Sequence, residues 1–230
     1  MTLITKTLVF DLDGTLVDTA PDLMAALNHV LVKEGFEALP LERARGMIGA
    51  GARALLDRGL SAVEAKRSPA ETDALFEQFL EYYTDHIADA GAPYPGVIDA
   101  MDRFADEGWK LAVCTNKLEG LSRHLLSELG LLDRFAAVGG GDSFDVKKPD
   151  PNHLFQTIAL AGGAPEYSVM VGDSETDIAT AKAAKVPVVA VDFGYTTEHV
   201  STYAPERIIS HFDTLHQAVT ELTAEYFPKR

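Results

Sequence analysis

Two aspartates stand directly after an apolar segment near the start of the chain. Residues 8–10 are apolar, and Asp11 and Asp13 follow with one leucine between them. Because alternate residues of a strand point to the same side, both carboxylates begin on one side of the chain where the strand ends. Carboxylates this close repel each other, and a cation or a phosphoryl group between them would stabilise the pair. The alternative is an acidic turn, since Asp13 and Gly14 form a common turn pair.

Polar residues also border later predicted elements of the chain. An apolar strand at residues 110–114 ends in a threonine and an asparagine, and a strand at residues 169–171 ends in a loop that carries two aspartates. A lysine stands shortly before a predicted helix at residues 151–161, and the proline after it favours extended backbone at this lysine. In order along the chain, these polar residues are Thr115, Asn116, Lys148, Asp173 and Asp177.

Strands and helices alternate through the second half of the chain, which favours a parallel sheet with helices on both faces. The predicted strands lie at 5–10, 110–114, 135–138, 169–171, 188–191 and 207–209, and the predicted helices at 97–107, 118–129, 151–161, 175–184 and 211–226. The fold class is therefore α/β, a Rossmann-like doubly wound parallel sheet with an inserted all-α domain. Ligands bind such sheets at the carboxyl ends of the strands, where the polar residues above should meet.

The interval between the first two predicted strands is helical. Apolar residues recur at helical spacing over residues 21–86, as in amphipathic helices. Residues 91–96 contain two prolines and two glycines, a strong linker signal. We therefore predict a helical cap domain at residues 16–92, inserted into a core formed by residues 1–15 and 93–230.

Composition limits the possible classes of function. The chain has 230 residues, of which 47% are hydrophobic, and a formal net charge of −15. The acidic balance argues against nucleic acid or an anionic membrane as a partner, because phosphate-tracking surfaces need clustered lysines and arginines. No segment approaches the ~20 apolar residues of a membrane span. The single cysteine, Cys114, fits a reducing compartment, so we expect a cytoplasmic location.

The polar segments together resemble the motifs of the haloacid dehalogenase superfamily in its phosphatase form. The run from Asp11 to Thr19 reads D-x-D-G-T-L-V-D-T, and a threonine, a lysine followed by proline, and G-D-x-x-x-D follow in the superfamily's order. The placement of the predicted cap looks most like the phosphoglycolate phosphatase branch. The resemblance implies a Mg2+-dependent phosphomonoesterase that forms an aspartyl-phosphate intermediate, with 2-phosphoglycolate as the favoured substrate.

The resemblance implies a role for each matched aspartate. Asp11 would be the nucleophile, and Asp13 would protonate the leaving group and then draw a proton from water. The implied ligands of Mg2+ are the carboxylates of Asp11 and Asp173 and the backbone carbonyl of Asp13. Asp177, one helical turn beyond Asp173, would face the same site from behind these ligands.

Other matched residues would bind the substrate. Thr115 and the backbone amide of Asn116 would donate hydrogen bonds to the phosphoryl oxygens, and Lys148 would offset the negative charge. In the resembling enzymes a helical cap closes over the pocket. Here its glycine-rich stretch carries Arg45 and Arg53, either of which could pair with a substrate carboxylate. The alternative is that both are ordinary surface arginines at the start of a helix.

Several alternative functions stay open at this point. Sugar phosphate phosphatases, β-phosphoglucomutase-like mutases and pyrophosphatases share these motifs. A haloacid dehalogenase is disfavoured because those enzymes lack an acid at the position of Asp13, and a catalytically dead binding protein because no motif residue is missing. The expected partner is a small anionic phosphate ester, with neither nucleic acid nor membrane, and the chain would act as a monomer or a homodimer.

Overall fold

The computed structural model describes residues 5–44 and 46–229. Two sheets lie within these residues, a larger parallel sheet and a short antiparallel ribbon formed by the second and third strands. In chain order the strands are β1 (Thr7–Phe10), β2 (Val17–Asp18), β3 (Ala92–Pro93), β4 (Lys110–Cys114), β5 (Ala137–Gly139), β6 (Ser168–Gly172), β7 (Val188–Val191) and β8 (Arg207–Ile209).

Helices connect these strands. In chain order they are α1 (Ala20–Lys33), α2 (Leu41–Ala44), α3 (Ala52–Ala62), α4 (Pro69–Asp85), α5 (Val97–Asp106), α6 (Glu119–Glu128), α7 (Pro151–Leu160), α8 (Glu175–Ala184) and α9 (Leu215–Tyr226). Among the helices of the described residues, none combines the length and the apolar character that crossing a bilayer requires.

The order of strands in the larger sheet creates a switch point beside β1. The order is β5–β4–β1–β6–β7–β8, and every neighbouring pair is parallel. The chain therefore builds one side of the sheet from β4 and β5, and then crosses β1 to build the other side. In such sheets a crevice opens outside the carboxyl ends of the strands at the switch point. This topology confirms the predicted fold class.

The sheet is covered on both faces, as the apolar character of its strands predicts. Leu8 and Phe10 of β1 belong to the apolar core on one face, which α5 and α9 cover. Val9, between them, belongs to the core on the other face, under α7 and α8. This alternation follows from the two-residue period of a strand, and strands buried on both faces are typical of parallel sheets.

Helices α1 to α4 form a helical insertion between β2 and β3. Leu27 and Leu31 of α1 and Phe79 and Tyr83 of α4 are buried in an apolar core that continues from the sheet face beneath them. The spacing of these residues is the helical periodicity seen in the sequence. The predicted boundaries of a cap domain fall beside the β2–β3 ribbon, and the division into two domains stays a prediction.

A buried carboxylate connects the two ends of the helical insertion through hydrogen bonds. Asp22, in the first turn of α1, is 3% exposed. One of its oxygens accepts from the N–H of Ala90 at 2.9 Å, and the other from the N–H of Gly91 at 2.8 Å. The segment that leaves the insertion is therefore bonded to the helix that enters it, next to the ribbon.

The boundaries of most elements match the sequence-based predictions. Strands β4, β7 and β8 coincide with the predicted ranges. The sequence predicts the last helix at 211–226, whereas the helix begins at Leu215 in the structure. A short 3-10 helix, Phe212–Thr214, precedes it, because the His211 side chain accepts from the N–H of Asp213 at 3.2 Å and turns the chain.

Replacing Asp22 should measure how much these hydrogen bonds contribute to the free energy of unfolding. We expect Asp22→Ala to lower the free energy of unfolding by about 1–3 kcal/mol, because the buried Gly91 amide loses its acceptor. Asp22→Asn keeps one acceptor oxygen and should lose less. Denaturant unfolding of the two variants and the wild type measures the difference. Equal stability of all three proteins would contradict a stabilising role of the Asp22 hydrogen bonds.

Candidate active site

The turn after β1 presents both N-terminal aspartates. The Asp11 backbone still follows the sheet, with its N–H donating to the carbonyl of Val171 in β6 at 2.9 Å. The chain then folds back on itself, because the carbonyl of Leu12 accepts from the amide of Val17 at 3.1 Å. Asp11 and Asp13 therefore lie at the carboxyl edge of the sheet, at the switch point.

Gly14 allows this turn to lie against the end of β6. Its φ is +84°, a conformation that side-chain-bearing residues rarely adopt. A Cβ atom added there would lie 2.6 Å from Asp173 Oδ2 and 2.8 Å from a ring carbon of Tyr195. Both the turn and the close approach of the backbone therefore require glycine.

The loop after β6 holds Asp173 and Asp177 through the start of α8. Ser174 is the N-cap residue, and its Oγ accepts from the N–H of Asp177 at 3.3 Å. In return, Asp177 Oδ2 accepts from the N–H groups of Asp173 at 3.2 Å and Ser174 at 3.1 Å. This capping box fixes Asp177, which is fully buried, behind Asp173.

Both oxygens of Asp173 are held by hydrogen bonds from the core. Oδ1 accepts from Thr15 Oγ1 at 3.0 Å, and Oδ2 accepts from the N–H of Tyr195 at 2.8 Å. The side chain is buried, and the loop around Gly194 packs directly on it. Asp173 is thus fixed from the turn after β1 and from the loop after β7.

Lys148 lies between Asp11 and Asp177. Its Nζ is 2.9 Å from Asp11 Oδ1 and donates to Asp177 Oδ1 at 2.6 Å. The side chain is 2% exposed, whereas the neighbouring Lys147 is exposed. The two lysines therefore point in opposite directions, as extended backbone before a proline requires.

A buried histidine holds the Lys148 loop. The N–H of Lys148 donates to His153 Nδ1 at 3.1 Å, so Nδ1 must be unprotonated. The other ring nitrogen, Nε2, lies 3.0 Å from the carbonyl of Gly140 and must carry the proton. Burial, together with the charge of Lys148, lowers the pKa of His153 to about 4. The imidazole is therefore neutral at neutral pH and joins the loops after β5 and before α7.

Negative charge exceeds positive charge at this edge of the sheet. Burial raises the pKa of Asp11 to about 6 and that of Asp173 to about 8, and the Asp177 carboxylate acts in the same direction. Burial opposes the charge on Lys148, but Asp11 and Asp177 raise its pKa above the ordinary value. One ammonium therefore faces the three carboxylates of Asp11, Asp173 and Asp177.

The residues present fit a divalent metal ion. One oxygen from each of Asp11, Asp173 and Asp177 lies within 4.8 Å of the others, and all three residues are buried. Carboxylate oxygens are the ligands that hard cations prefer, and a bound cation would offset the charge that burial makes costly. The Asp13 carboxylate points elsewhere, to Thr19 and Lys117, so Asp13 could serve such an ion only through its backbone.

The end of β4 supplies Thr115 and Asn116. Thr115 is 2% exposed and its N–H donates to the carbonyl of Gly139 at 2.9 Å, which extends the sheet by one residue. The Asn116 side chain donates to the carbonyl of Lys148 at 3.1 Å. A Cβ atom added to Gly141 would lie 2.5 Å from the carbonyl oxygen of Asn116. These loops therefore pack backbone against backbone.

Lys117 also belongs to the site, although it is not one of the residues predicted from the sequence. Its Nζ lies 3.1 Å from Asp13 Oδ1, and Thr19 Oγ1 donates to the same oxygen at 2.8 Å. The Lys117 side chain is only 4% exposed. Burial opposes its charge, but Asp13 and Tyr83 raise its pKa above the ordinary value. Its position two residues after Thr115, at a strand end, is the signal that could have identified it.

Tyr83 brings the helical insertion into the same site. Lys117 Nζ donates to the Tyr83 hydroxyl at 2.6 Å and lies 4.4 Å from the centre of its ring. The sequence places Tyr83 on the apolar face of α4, where it reads as a core residue. Its hydrogen bond to Lys117 shows that the same face of α4 also contacts a charged residue at the sheet edge.

The two predicted cap arginines have different outcomes. Arg45 lies outside the described residues. Arg53 pairs with Asp73 at 2.7 Å and with Asp57 at 3.4 Å, and its guanidinium lies over the ring of Phe76. The structure does not bring Arg53 to the aspartates, because acidic residues on α3 and α4 hold it on the outside of the insertion.

A pocket lies between the sheet edge and the helical insertion. Asp11, Asp13, Thr115, Asn116 and Lys117 line it from the core. Apolar side chains and glycines line it from the other side, and these are Leu23, Ile48, Gly49, Gly51, Ala52 and Leu55, with Tyr83, Leu118 and Leu121 completing the wall. The structure thus brings together the sequence-predicted residues of the first two motifs beneath the insertion.

Comparison with protein families agrees with this geometry. A family model described as haloacid dehalogenase-like hydrolase matches residues 8–191, which include most of β1 and the loops after β4 and β6. The chain belongs to the haloacid dehalogenase-like hydrolases.

Individual relatives of this chain indicate a more specific class of hydrolase. The chain is 50% identical to a phosphoglycolate phosphatase of Mesorhizobium japonicum, over 93% of this chain and 94% of the relative. It is 45% identical to a phosphoglycolate phosphatase of Caulobacter vibrioides, over 95% and 92%. A crystal structure of a predicted phosphoglycolate phosphatase from Haemophilus somnus superposes with a TM-score of 0.89 at 28% identity, covering 95% of this chain and 100% of that one. These relatives confirm the enzyme class that the motifs predict, a phosphoric monoester hydrolase.

The charge at the sheet edge predicts how stability depends on pH. A carboxyl with a higher pKa in the folded than in the unfolded protein stabilises the fold at low pH, and this contribution is lost as the pH rises through the folded value. For Asp173 this window runs from 3.8 to about 8. Metal-free protein should therefore lose stability from this group over that window, and a divalent cation should restore more stability near pH 8 than near pH 6.

Thermal unfolding with EDTA or with added Mg2+ or Mn2+, at both pH values, measures this difference. The Asp173→Asn variant is the control, because it lacks the carboxylate and should lose most of the cation-dependent rise in Tm. A rise that is equal at the two pH values, or that persists in Asp173→Asn, would contradict a metal site at these carboxylates.

Proposed function

We propose that this chain is a Mg2+-dependent phosphomonoesterase that acts through an aspartyl-phosphate intermediate, with 2-phosphoglycolate as its substrate. The observation that carries the proposal is the placement of Asp11, which lies at a strand end and lines the pocket, with the Lys148 ammonium 2.9 Å away and the carboxylates of Asp173 and Asp177 close by. Family membership and relatives named phosphoglycolate phosphatase support the same reaction class.

Asp11 is the proposed nucleophile. Its carboxylate oxygen forms a bond to phosphorus while the bond between phosphorus and the ester oxygen breaks. Burial with a compensating ammonium 2.9 Å away keeps this carboxylate in one position and away from bulk water. A phosphate ester resists attack by an anion, so the surrounding positive charge and alignment supply most of the catalysis.

Asp13 is the proposed acid and base. In the first step it gives a proton to the departing ester oxygen, and in the second step it takes a proton from the water that attacks the phosphorus of the aspartyl phosphate. The second step releases inorganic phosphate and restores the Asp11 carboxylate. The hydrogen bonds from Thr19 and Lys117 hold the Asp13 side chain toward the pocket, where the ester oxygen would lie.

Mg2+ is the proposed metal. Asp11 and Asp173 would bind it through their carboxylates and Asp13 through its backbone carbonyl, with Asp177 behind them, held by Lys148 and its capping box. When bound, the ion would neutralise phosphoryl charge and orient the phosphate for in-line attack.

Thr115, Asn116 and Lys148 are the proposed phosphate-binding residues. Thr115 and the amide of Asn116 lie in the loop that lines the pocket, where hydroxyl and N–H donors can bind phosphoryl oxygens. Lys148 provides the fixed positive charge next to Asp11. Because His153 and Asn116 both bond to the Lys148 backbone, this charge cannot move far from the reacting atoms.

The proposed substrate is a small anionic phosphate ester. The relatives named above favour 2-phosphoglycolate, and the sequence motifs alone leave sugar phosphates and pyrophosphate open. A cytoplasmic enzyme without nucleic acid or membrane partners, as a monomer or a homodimer, is the setting that we expect for this reaction.

Substitution of the two N-terminal aspartates tests the mechanism. We expect Asp11→Asn to abolish turnover, because the amide cannot form the covalent intermediate, while the fold is kept. Asp13→Asn should lower kcat by about 10²- to 10⁴-fold, the usual contribution of a general acid or base. Phosphate release from 2-phosphoglycolate, sugar phosphates, nucleotides, pyrophosphate and an aryl phosphate, with Mg2+ or EDTA, measures both variants against the wild type.

Three results would contradict the proposal. Wild-type protein that releases phosphate from none of these compounds would rule out the enzyme. Appreciable turnover in Asp11→Asn would remove Asp11 as the nucleophile, and undiminished turnover in EDTA would remove the metal. Circular dichroism of each variant shows whether the fold is intact.

A further inference from the structure

Charged and polar residues line one side of the pocket, and apolar residues line the other. The side facing the insertion is built from leucine and isoleucine side chains and glycines, which offer no side-chain hydrogen-bond partners. Among the described residues that line the pocket, Lys117 is the one with a positively charged side chain. Within the described part of the chain, the cation that a second anionic group of a substrate would meet at this wall is therefore Lys117.

Lys117 has a hydrogen-bond donor to spare. A lysine ammonium carries three N–H groups. Its contacts within the described residues are to the Asp13 carboxylate, at 3.1 and 3.4 Å, and to the Tyr83 hydroxyl, at 2.6 Å. The two Asp13 oxygens can share one N–H group, which leaves the third N–H for a ligand, and both partners hold the side chain in place before any ligand arrives.

The Tyr83 hydroxyl supplies a second donor. Its oxygen accepts from Lys117, so its own O–H proton is left to donate to a ligand in the pocket. Burial raises the pKa of Tyr83 to about 12, and the hydroxyl therefore keeps its proton at neutral pH. An N–H from the core and an O–H from the insertion thus lie side by side at one wall.

We propose that Lys117 and Tyr83 bind the carboxylate of the substrate's leaving group and so select for esters that carry one. This inference rests on the proposed phosphatase function and names the residues that determine its specificity. The Lys117 ammonium would offset the negative charge that a substrate carboxylate brings to this wall, next to the proposed acid Asp13.

The same wall disfavours sugar phosphates. A sugar has several hydroxyl groups, each of which needs a hydrogen-bond partner when it leaves water. Leu23, Ile48 and Leu55 offer none, whereas two donors are enough for a single carboxylate. Selection by unpaired polar groups is stronger than selection by size, because each buried group without a partner costs free energy.

The two other cations that the sequence analysis assigned to the described site are placed elsewhere. Arg53 is held outside the pocket by Asp57 and Asp73. Lys148 is buried between Asp11 and Asp177, where it faces the phosphoryl group. Neither is free to meet the far end of a two-carbon ester.

Two substrates that differ only in charge test the inference. These are 2-phosphoglycolate and the phosphate ester of glycolamide, in which a neutral amide of nearly the same shape replaces the carboxylate. The quantity measured is the ratio of kcat/KM for the acid to kcat/KM for the amide. Effects that Lys117 exerts through Asp13 act on both substrates and cancel in this ratio.

We expect Lys117→Met to lower this ratio by about 10- to 100-fold, the range for a hydrogen bond to a charged group. Methionine keeps an unbranched apolar side chain of similar length and removes the ammonium. Tyr83→Phe, which removes the hydroxyl alone, should lower the ratio by about two- to tenfold. Lys110→Met is the matched control, since Lys110 is exposed at the opposite end of β4, and its ratio should stay that of the wild type.

An equal loss on both substrates in Lys117→Met would overturn the inference and leave Lys117 acting only on Asp13. A fall of the ratio in Arg53→Met instead would place the carboxylate at Arg53 and would also overturn it. Calorimetric binding of both compounds to Asp11→Asn, with and without Lys117→Met, repeats the comparison without turnover. If wild-type protein hydrolyses no ester, the proposed function fails by itself, and this binding measurement still decides the inference.

Discussion

The structure depends on the compensation of carboxylate charge at the carboxyl edge of the sheet. Asp11, Asp173 and Asp177 are buried within reach of one another, and the Lys148 ammonium pairs with Asp11 and Asp177. A buried charge without a partner is strongly destabilising. The fold therefore supplies fixed donors to Asp173 and Asp177, such as the Thr15 hydroxyl for Asp173, and leaves a surplus of negative charge that a cation can offset.

Close packing of backbone makes this arrangement possible. Gly14, Gly172 and Gly194 let the turn after β1, the end of β6 and the loop after β7 lie directly on the side chains of Asp173 and Asp177. A Cβ atom at Gly194 would lie 2.2 Å from the Cβ of Asp173. The glycines at the strand ends thus do more than form turns, since they set the distance between charges that come from separate strands.

The sequence was sufficient to predict the sheet and the residues that follow its strands. The sequence could predict that Asp11, Asp173 and Lys148 lie close together, because parallel strands share one carboxyl edge and the topology alone determines this. The contact of Lys117 with Tyr83 could not, because it depends on how α4 is oriented over the core, and side-chain packing decides that orientation. For the same reason the sequence favoured Arg53 as a pocket residue. In the structure, Asp57 and Asp73 hold it outside the pocket.

The Lys117 contacts give the helical insertion a part in the chemistry as well as in covering the pocket. Asp13 belongs to the sheet edge and Tyr83 to the insertion, and one buried ammonium bonds to both. Movement of α4 away from the core would remove the hydroxyl from Lys117 and expose the ion pair to water, which weakens it. The position of the insertion and the environment of the proposed acid and base are therefore linked physically. A ligand carboxylate bound to Lys117 and Tyr83 would strengthen that link, because it bonds to both parts at once.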